Sequence, residues 1–196
     1  MNLYRTFCGG TLFLLAGAGL SSCLNPPDYA VTPAISFKEI IVTKTPTVGN
    51  QVAINTLQFA VDFQDGDGDL GLSQVDVKLP PYNQPPQPPV PVRNHTTNEN
   101  NYFLQPYLKN ANGQFVLFTT PPPFGRVGQY DGTYPRLDKT DAKPAPLKGV
   151  LRYDFPINLD GQVYRAGQTF RFEITILDRA LRVSNTITTS EVTLAQ

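Results

Sequence analysis

Apolar and polar residues alternate with a period of two along several stretches of this chain. Leu57, Phe59, Val61 and Phe63 are interleaved with Gln58, Ala60 and Asp62, which gives a strand one apolar face and one small or polar face. The same alternation runs through Val75, Val77 and Leu79, through Leu151, Tyr153, Phe155 and Ile157, and through Phe170, Phe172, Ile174 and Ile176. Shorter strand candidates are residues 35–42, 102–108, 114–119 and 183–194, the last rich in Thr, Val and Ile, which suit a pleated surface. Beyond the N-terminal apolar run no window carries a 3.6-residue apolar stripe, and 19 prolines interrupt most attempts at one. Strands with one apolar face each hide it by packing two antiparallel sheets together. The expected fold is therefore an all-β sandwich.

Two intervals break the rhythm. Residues 80–93 hold Pro80-Pro81, Pro85-Pro86, Pro88-Pro89 and Pro91, a composition that favours an extended, polyproline-like surface segment. It reads as a rigid spacer more simply than as a ligand for an aromatic groove. Residues 121–146 carry three consecutive prolines and scattered glycines. Both lie within 80–147 as long excursions from the sandwich, and loops of such length are usually functional or mobile.

The first residues carry a different signal. Arg5 precedes an apolar run over residues 7–20, in the order of a secretory signal peptide and too short for a convincing membrane span. The run closes on Leu20-Ser21-Ser22-Cys23, followed by Asn25-Pro26-Pro27. This resembles the bacterial lipoprotein box, in which the cysteine is acylated and becomes the new N-terminus. The competing reading makes Cys23 a small residue beside an ordinary cleavage site. The expected organisation is a signal peptide over 1–22, a tether over 23–33 and one domain over 34–196. Cys8, the other cysteine, lies in the removed segment, so the mature chain has no disulfide partner and depends on its core, a metal, or both.

The sharpest chemical signal is Asp62-Phe63-Gln64-Asp65-Gly66-Asp67-Gly68-Asp69-Leu70-Gly71. Calcium takes six to eight oxygens, and carboxylates on alternate residues of a tight turn converge on one ion where intervening glycines let the backbone coil. Counted from Asp65, the spacing imitates the first ligands of an EF-hand loop, with Asp76 in the place of the last. The imitation is partial, because Leu70 stands where an EF-hand has glycine. A solvated acidic turn is the alternative. Two carboxylates about 6 Å apart repel by roughly 0.7 kcal/mol in water and nearly 3 kcal/mol at an effective dielectric of about 20, so a packed cluster needs a cation and an exposed one does not. The metal candidates are thus Asp62, Asp65, Asp67, Asp69 and Asp76, with magnesium less suited because it keeps its waters. If the turn before the last strands lies at the same end of the sandwich, Asp178 joins them. Asp178 could equally pair with Arg179 or Arg182, or cap the turn.

The lipoprotein box, the acidic phrase and the ending Ile176-Leu177-Asp178-Arg179-Ala180 with Ser184-Asn185 together resemble a group of uncharacterised bacterial lipoproteins with an immunoglobulin-like β-sandwich. The resemblance implies that fold and a surface anchor, and no enzymatic activity. Such sandwiches commonly place Gly and Asn in this turn, where the present chain has Leu181 and Arg182.

Sixteen basic residues balance sixteen acidic ones without a basic stripe, which argues against nucleic acid as a partner. Membrane contact is expected through the lipid. The single histidine, His95, sits in a polar stretch and reads as solvated, with no Gly-x-Ser-x-Gly nucleophile to serve. Asp131, Asp138, Asp141 and Asp154 offer carboxylate pairs for a hydrolase, though no spacing marks them. Tyr102, Tyr107, Phe124, Tyr130 and Tyr134 fall in or beside the excursions, as a weak candidate surface for sugars or proteins or as a satellite core. The expectation is a non-enzymatic, lipid-anchored module of the cell envelope, at the outer membrane, with a structural calcium ion and an envelope protein or glycan as partner. A carbohydrate-binding accessory lipoprotein is the alternative, and a small carboxylate-dependent hydrolase a third.

Overall fold

The computed structural model describes residues 27–49, 52–91, 93, 95–123, 125–138 and 143–196. Cys8, Cys23, the signal segment, Phe124 and Asp141 lie outside the described residues. The strands are β1 (Ala34–Thr45), β2 (Ile54–Asp65), β3 (Tyr102–Lys109), β4 (Phe115–Leu117), β5 (Leu147–Asn158), β6 (Thr169–Ile176), β7 (Ile187–Thr188) and β8 (Val192–Thr193). All pairings are antiparallel. One sheet has the order β1-β2-β5; the other runs β4-β3-β6-β7, with β8 also on β6. No helix among the described residues is long and apolar enough to cross a membrane.

The alternation seen in the sequence builds the core. Leu57, Phe59, Val61 and Phe63 of β2 point inward beside Leu151, Phe155 and Ile157 of β5, and meet Leu104 of β3 and Phe170, Phe172, Ile174 and Ile176 of β6. Phe59 meets Phe172 edge-on across the gap at 4.8 Å between ring centres, a favoured aromatic geometry. In β1 the register shifts between Phe37 and Glu39. Such a bulge reverses the parity of the residues beyond it, so Ile35 and then Ile40 and Val42 face the core.

One expected strand fails to form and another is broken into two short pieces. Val75, Val77 and Leu79 belong to a single 3-10 turn, Asp76–Lys78, with Val75 and Leu79 exposed. Ser73 and Asp76 cap it reciprocally: the Ser73 amide donates to Asp76 Oδ2 at 2.7 Å and the Asp76 amide to Ser73 Oγ at 3.1 Å. A capping pair at this spacing closes a turn, and Pro80-Pro81 comes directly after it. The stretch 183–194 yields only the short β7 and β8. Ser184 and Thr189 there spend their hydroxyls on the β6 amides of Ile176 and Phe172. Those bonds stand in place of a continuous ladder.

The proline-rich interval is not an extended spacer. It folds as turns that bury Tyr82 and Val90, and Val90 joins Phe103 and Leu177 in a second apolar cluster flanked by Leu181 and Val183. The Tyr82 hydroxyl donates to the Arg179 carbonyl at 2.7 Å. The arm therefore props the turn after β6.

Candidate metal centre

Strand parity carries Asp65 into the interior. Asn55, Leu57, Phe59, Val61, Phe63 and Asp65 form the inward row of β2, so the row of core residues ends in a carboxylate with 0% exposure. Past it the backbone turns sharply. Gly68 has φ +67°, and a Cβ there would fall 2.3 Å from the Ala145 carbonyl oxygen, so this left-handed, crowded position requires glycine. The turn brings Asp67 and Asp69 back toward Asp65.

The fourth carboxylate comes from the other sheet. Leu70 and Asp178 pair as an antiparallel bridge, and the Arg179 amide donates to the Asp69 carbonyl at 3.0 Å. Asp178 also closes its own turn, accepting the Arg182 amide on Oδ1 at 2.7 Å. Leu181 holds φ 60° there, a conformation costing a non-glycine residue roughly 1–2 kcal/mol. Its side chain packs on the Val90, Phe103 and Leu177 cluster, which offsets that cost.

The result is a set of ligand oxygens from Asp65, Asp67, Asp69 and Asp178 lying within 4.8 Å of one another. Both oxygens of Asp65, Oδ1 of Asp67 and Oδ1 of Asp69 are buried without a hydrogen-bond partner among the described residues. A buried polar atom is normally paired, and a buried charge more so. Burial, then the charges of Asp67, Asp69 and Asp178, push the Asp65 carboxyl up to about 7; the nearby Asp69 amide offsets part of this without making a geometric hydrogen bond. Burial and the neighbouring carboxylates likewise raise Asp69 to about 6. Asp178 is raised by burial, against the pull of its bonds to Arg182. Arg182 partly answers this charge by direct contact: its Nη1 meets Asp67 Oδ2 at 2.8 Å and Asp178 Oδ2 at 3.1 Å, and the Arg179 charge also acts on Asp69 from further off. Arg179 is committed elsewhere, in a two-pronged pair with Asp138 at 2.7 and 2.9 Å.

Four convergent carboxylates, three of them with unpartnered inner oxygens, can hold a metal ion. The separation fits as well, since oxygens on opposite sides of a calcium ion lie roughly 5 Å apart for bonds of 2.3–2.6 Å.

Two expected ligands are absent from this group. Asp62 lies on the opposite face of β2 from Asp65 and pairs with Lys38 at 3.2 Å, both 43% exposed. Asp76 serves the 3-10 turn and pairs with Arg136 at 3.1 Å. Burial alone would raise its carboxyl, but the Ser73 hydrogen bonds and Arg136 hold it below the usual range.

The tyrosines do not share an exposed plane. Tyr102 is 2% exposed and stacks on Tyr153 at 4.7 Å. Tyr107 hydrogen-bonds Glu173 at 2.8 Å, Tyr130 bonds Tyr164 and packs on Phe155, and Tyr134 donates to the Leu177 carbonyl at 3.2 Å. Nor is His95 solvated. Its Nε2 meets Asp131 Oδ2 at 2.8 Å, while Asp131, with a fully buried side chain, also takes Arg93 at 2.7 Å and the Leu104 amide at 2.9 Å. Sequence reasoning missed this hub because its members come from separate loops. The remaining described hydrolase candidate, Asp154, accepts from Gln58 at 2.8 Å.

No protein-family model, curated protein or solved structure matches this chain significantly.

Proposed function

We propose that this chain is a non-catalytic, lipid-anchored immunoglobulin-like sandwich of the cell envelope, whose loop-bearing apex is fixed by a calcium ion among Asp65, Asp67, Asp69 and Asp178. The observation that carries the calcium reading is Asp65: wholly buried, both oxygens unpartnered, and facing three further carboxylates. Four carboxylates suit an ion that takes six to eight oxygens better than magnesium, which retains its waters. The strand order, with the first, second and fifth strands facing the fourth, third, sixth and seventh, supports the immunoglobulin-like reading.

A structural role fits the surroundings. The cluster joins the end of β2 to the turn after β6, so an ion there would tie the two sheets together. Two further acids with largely buried side chains, Asp131 and Asp138, are occupied by arginines that fasten loops, which supports scaffolding over turnover. Leu20-Ser21-Ser22-Cys23 supports the anchor. Calorimetric titration of chelator-treated protein with calcium chloride tests the centre, with one-to-one uptake expected and uptake lost in Asp65→Asn. Heat-silent titration together with an unchanged melting temperature in excess calcium would remove the proposal.

A further inference from the structure

The acidic loop is fastened to the segment that leads into the domain from its N-terminal side. The Gly66 amide donates to the Ala30 carbonyl at 2.8 Å. The approach is so close that a Cβ on Gly66 would fall 2.3 Å from the Tyr29 carbonyl oxygen and 2.9 Å from that of Ala30. One residue further on, Arg182 Nη1 reaches the Val31 carbonyl at 3.1 Å, and the same nitrogen touches Asp67 and Asp178. Residues 29–31 are thus held by the loop and the turn that supply the four carboxylates, while Val31 itself is 49% exposed and belongs to neither apolar cluster of the described residues.

We propose that a divalent ion at the acidic cluster clasps residues 29–31 onto the sandwich and so sets where the N-terminal tether leaves the domain. The inference rests on the ion reading above. Without an ion the four carboxylates repel at close range, and Arg182 answers only part of their charge. The loop carrying Gly66 and the Asp67–Arg182–Asp178 bridge then spread, and both fastenings of the segment loosen together. With the ion the carboxylates converge, the Gly66 amide and the Arg182 guanidinium are fixed, and the segment is fixed with them. Coupling of this kind is reciprocal: whatever loosens the segment must weaken the ion by the same factor. In a chain anchored at Cys23, the ion would decide whether the domain stands in a set orientation or swings on its tether.

The test uses the full-length chain in detergent, with calcium or with chelator. The readouts are calorimetric calcium affinity and the heteronuclear NOE of the Ala30 and Val31 amides. In the wild type, calcium is expected to raise those two NOE values to the level of the strands. Gly66→Ala inserts a methyl group against Tyr29 and Ala30 while leaving all four carboxylates in place. It should keep both amides mobile in calcium and weaken calcium binding by about fivefold, at the low end of usual coupling strengths. Arg182→Gln, which removes the Val31 contact from the other side, should also lower the NOE at Val31 in calcium. Calcium uptake with identical NOE values in both states, or unchanged calcium affinity in a folded Gly66→Ala, overturns the clasp and leaves the ion site standing. No calcium uptake by the wild type overturns both.

Discussion

Asp65, at the end of β2, and Asp178, in the turn after β6, belong to opposite sheets yet bring carboxylate oxygens within 4.8 Å of each other. Asp65 is the next inward-facing residue after Phe63, so a charge stands where the row of core side chains would call for another apolar group. Opposed like charges in a dry setting destabilise this junction between the sheets unless a cation joins them.

Melting temperature should therefore respond to calcium. At a concentration about a hundredfold above its dissociation constant an ion stabilises by roughly 2.7 kcal/mol, which for a chain of this size moves the midpoint by about 5–10 °C. Asp65→Asn should raise the midpoint measured in chelator, because it removes the charge facing the other three, and should abolish the response to calcium. Differential scanning calorimetry of both proteins checks this. A mutant that melts lower than wild type in chelator would contradict the assignment of Asp65 as an uncompensated charge.

The pH dependence has a definite sign. Burial and neighbouring charges raise Asp65 to about 7 and Asp69 to about 6, above the unfolded carboxyl value near 4. Between pH 4 and 7 the unfolded chain has lost these protons and the ion-free fold still holds them, so the contribution of the pair to stability falls as pH rises through that window. The loss is half made for Asp65 at about pH 7 and complete roughly one unit above it. Calcium binds the deprotonated form, so the gap between midpoints in calcium and in chelator should widen from pH 5 to pH 7.5. A gap that is constant over that range, or that narrows, would contradict the buried-carboxylate account. Running Asp65→Asn alongside isolates the cluster from other titrating groups.

Asp62→Asn is the matched control. Its side chain is on the far face of β2, half exposed and paired with Lys38, and exposed pairs of that kind contribute at most about 1 kcal/mol. The variant should melt within about 2–4 °C of wild type and keep its full calcium response. A lost response would mean that the loop reorganises on binding to bring Asp62 inward.

This pair of aspartates also shows how far the sequence can be read. The alternation Leu57, Phe59, Val61, Phe63 predicts β2 and its apolar face, and continuing the same parity by one step already puts Asp65 inside and Asp62 outside. Counting carboxylates along the loop instead of by strand face groups them together. EF-hand spacing draws in Asp76, whereas its reciprocal partner Ser73 three residues earlier marks a capped turn. The meeting of Asp178 with the loop is conditional on two loops sharing one end of the sandwich, which their positions after β2 and β6 satisfy. The Asp131 hub is not legible at all. Arg93, His95 and Asp131 are joined by the folding of two long loops against β3, and no local spacing encodes that contact.

That hub yields its own prediction. The Asp131 side chain is fully buried and holds Arg93, His95 and the Leu104 amide, and Arg93 also lies 5.4 Å from the centre of the Phe103 ring. Removing the carboxylate leaves the arginine and a backbone amide without their acceptor, a change that costs about 3–5 kcal/mol at buried ion pairs. Asp131→Ala should lose that amount in urea unfolding, with calcium uptake retained because the four cluster carboxylates are untouched. A loss below about 1 kcal/mol would mean that the loop is held by its apolar contacts alone.

The last prediction concerns the anchor. Arg5, the apolar run and Leu20-Ser21-Ser22-Cys23 predict an acylated cysteine, and a single chain adds roughly 0.8 kcal/mol for each buried methylene, so that stable retention needs more than one acyl group. Cys23→Ser should move the protein from the membrane fraction to the soluble fraction without altering its melting temperature or calcium response, since the first described strand begins only at Ala34. Mass spectrometry of the wild-type N-terminal peptide should show the lipid on Cys23. An unmodified cysteine, or a serine variant still held in the membrane fraction, would mean that the domain reaches the envelope through a protein contact. In that case the segment clasped by Gly66 and Arg182 would have to be considered part of that contact.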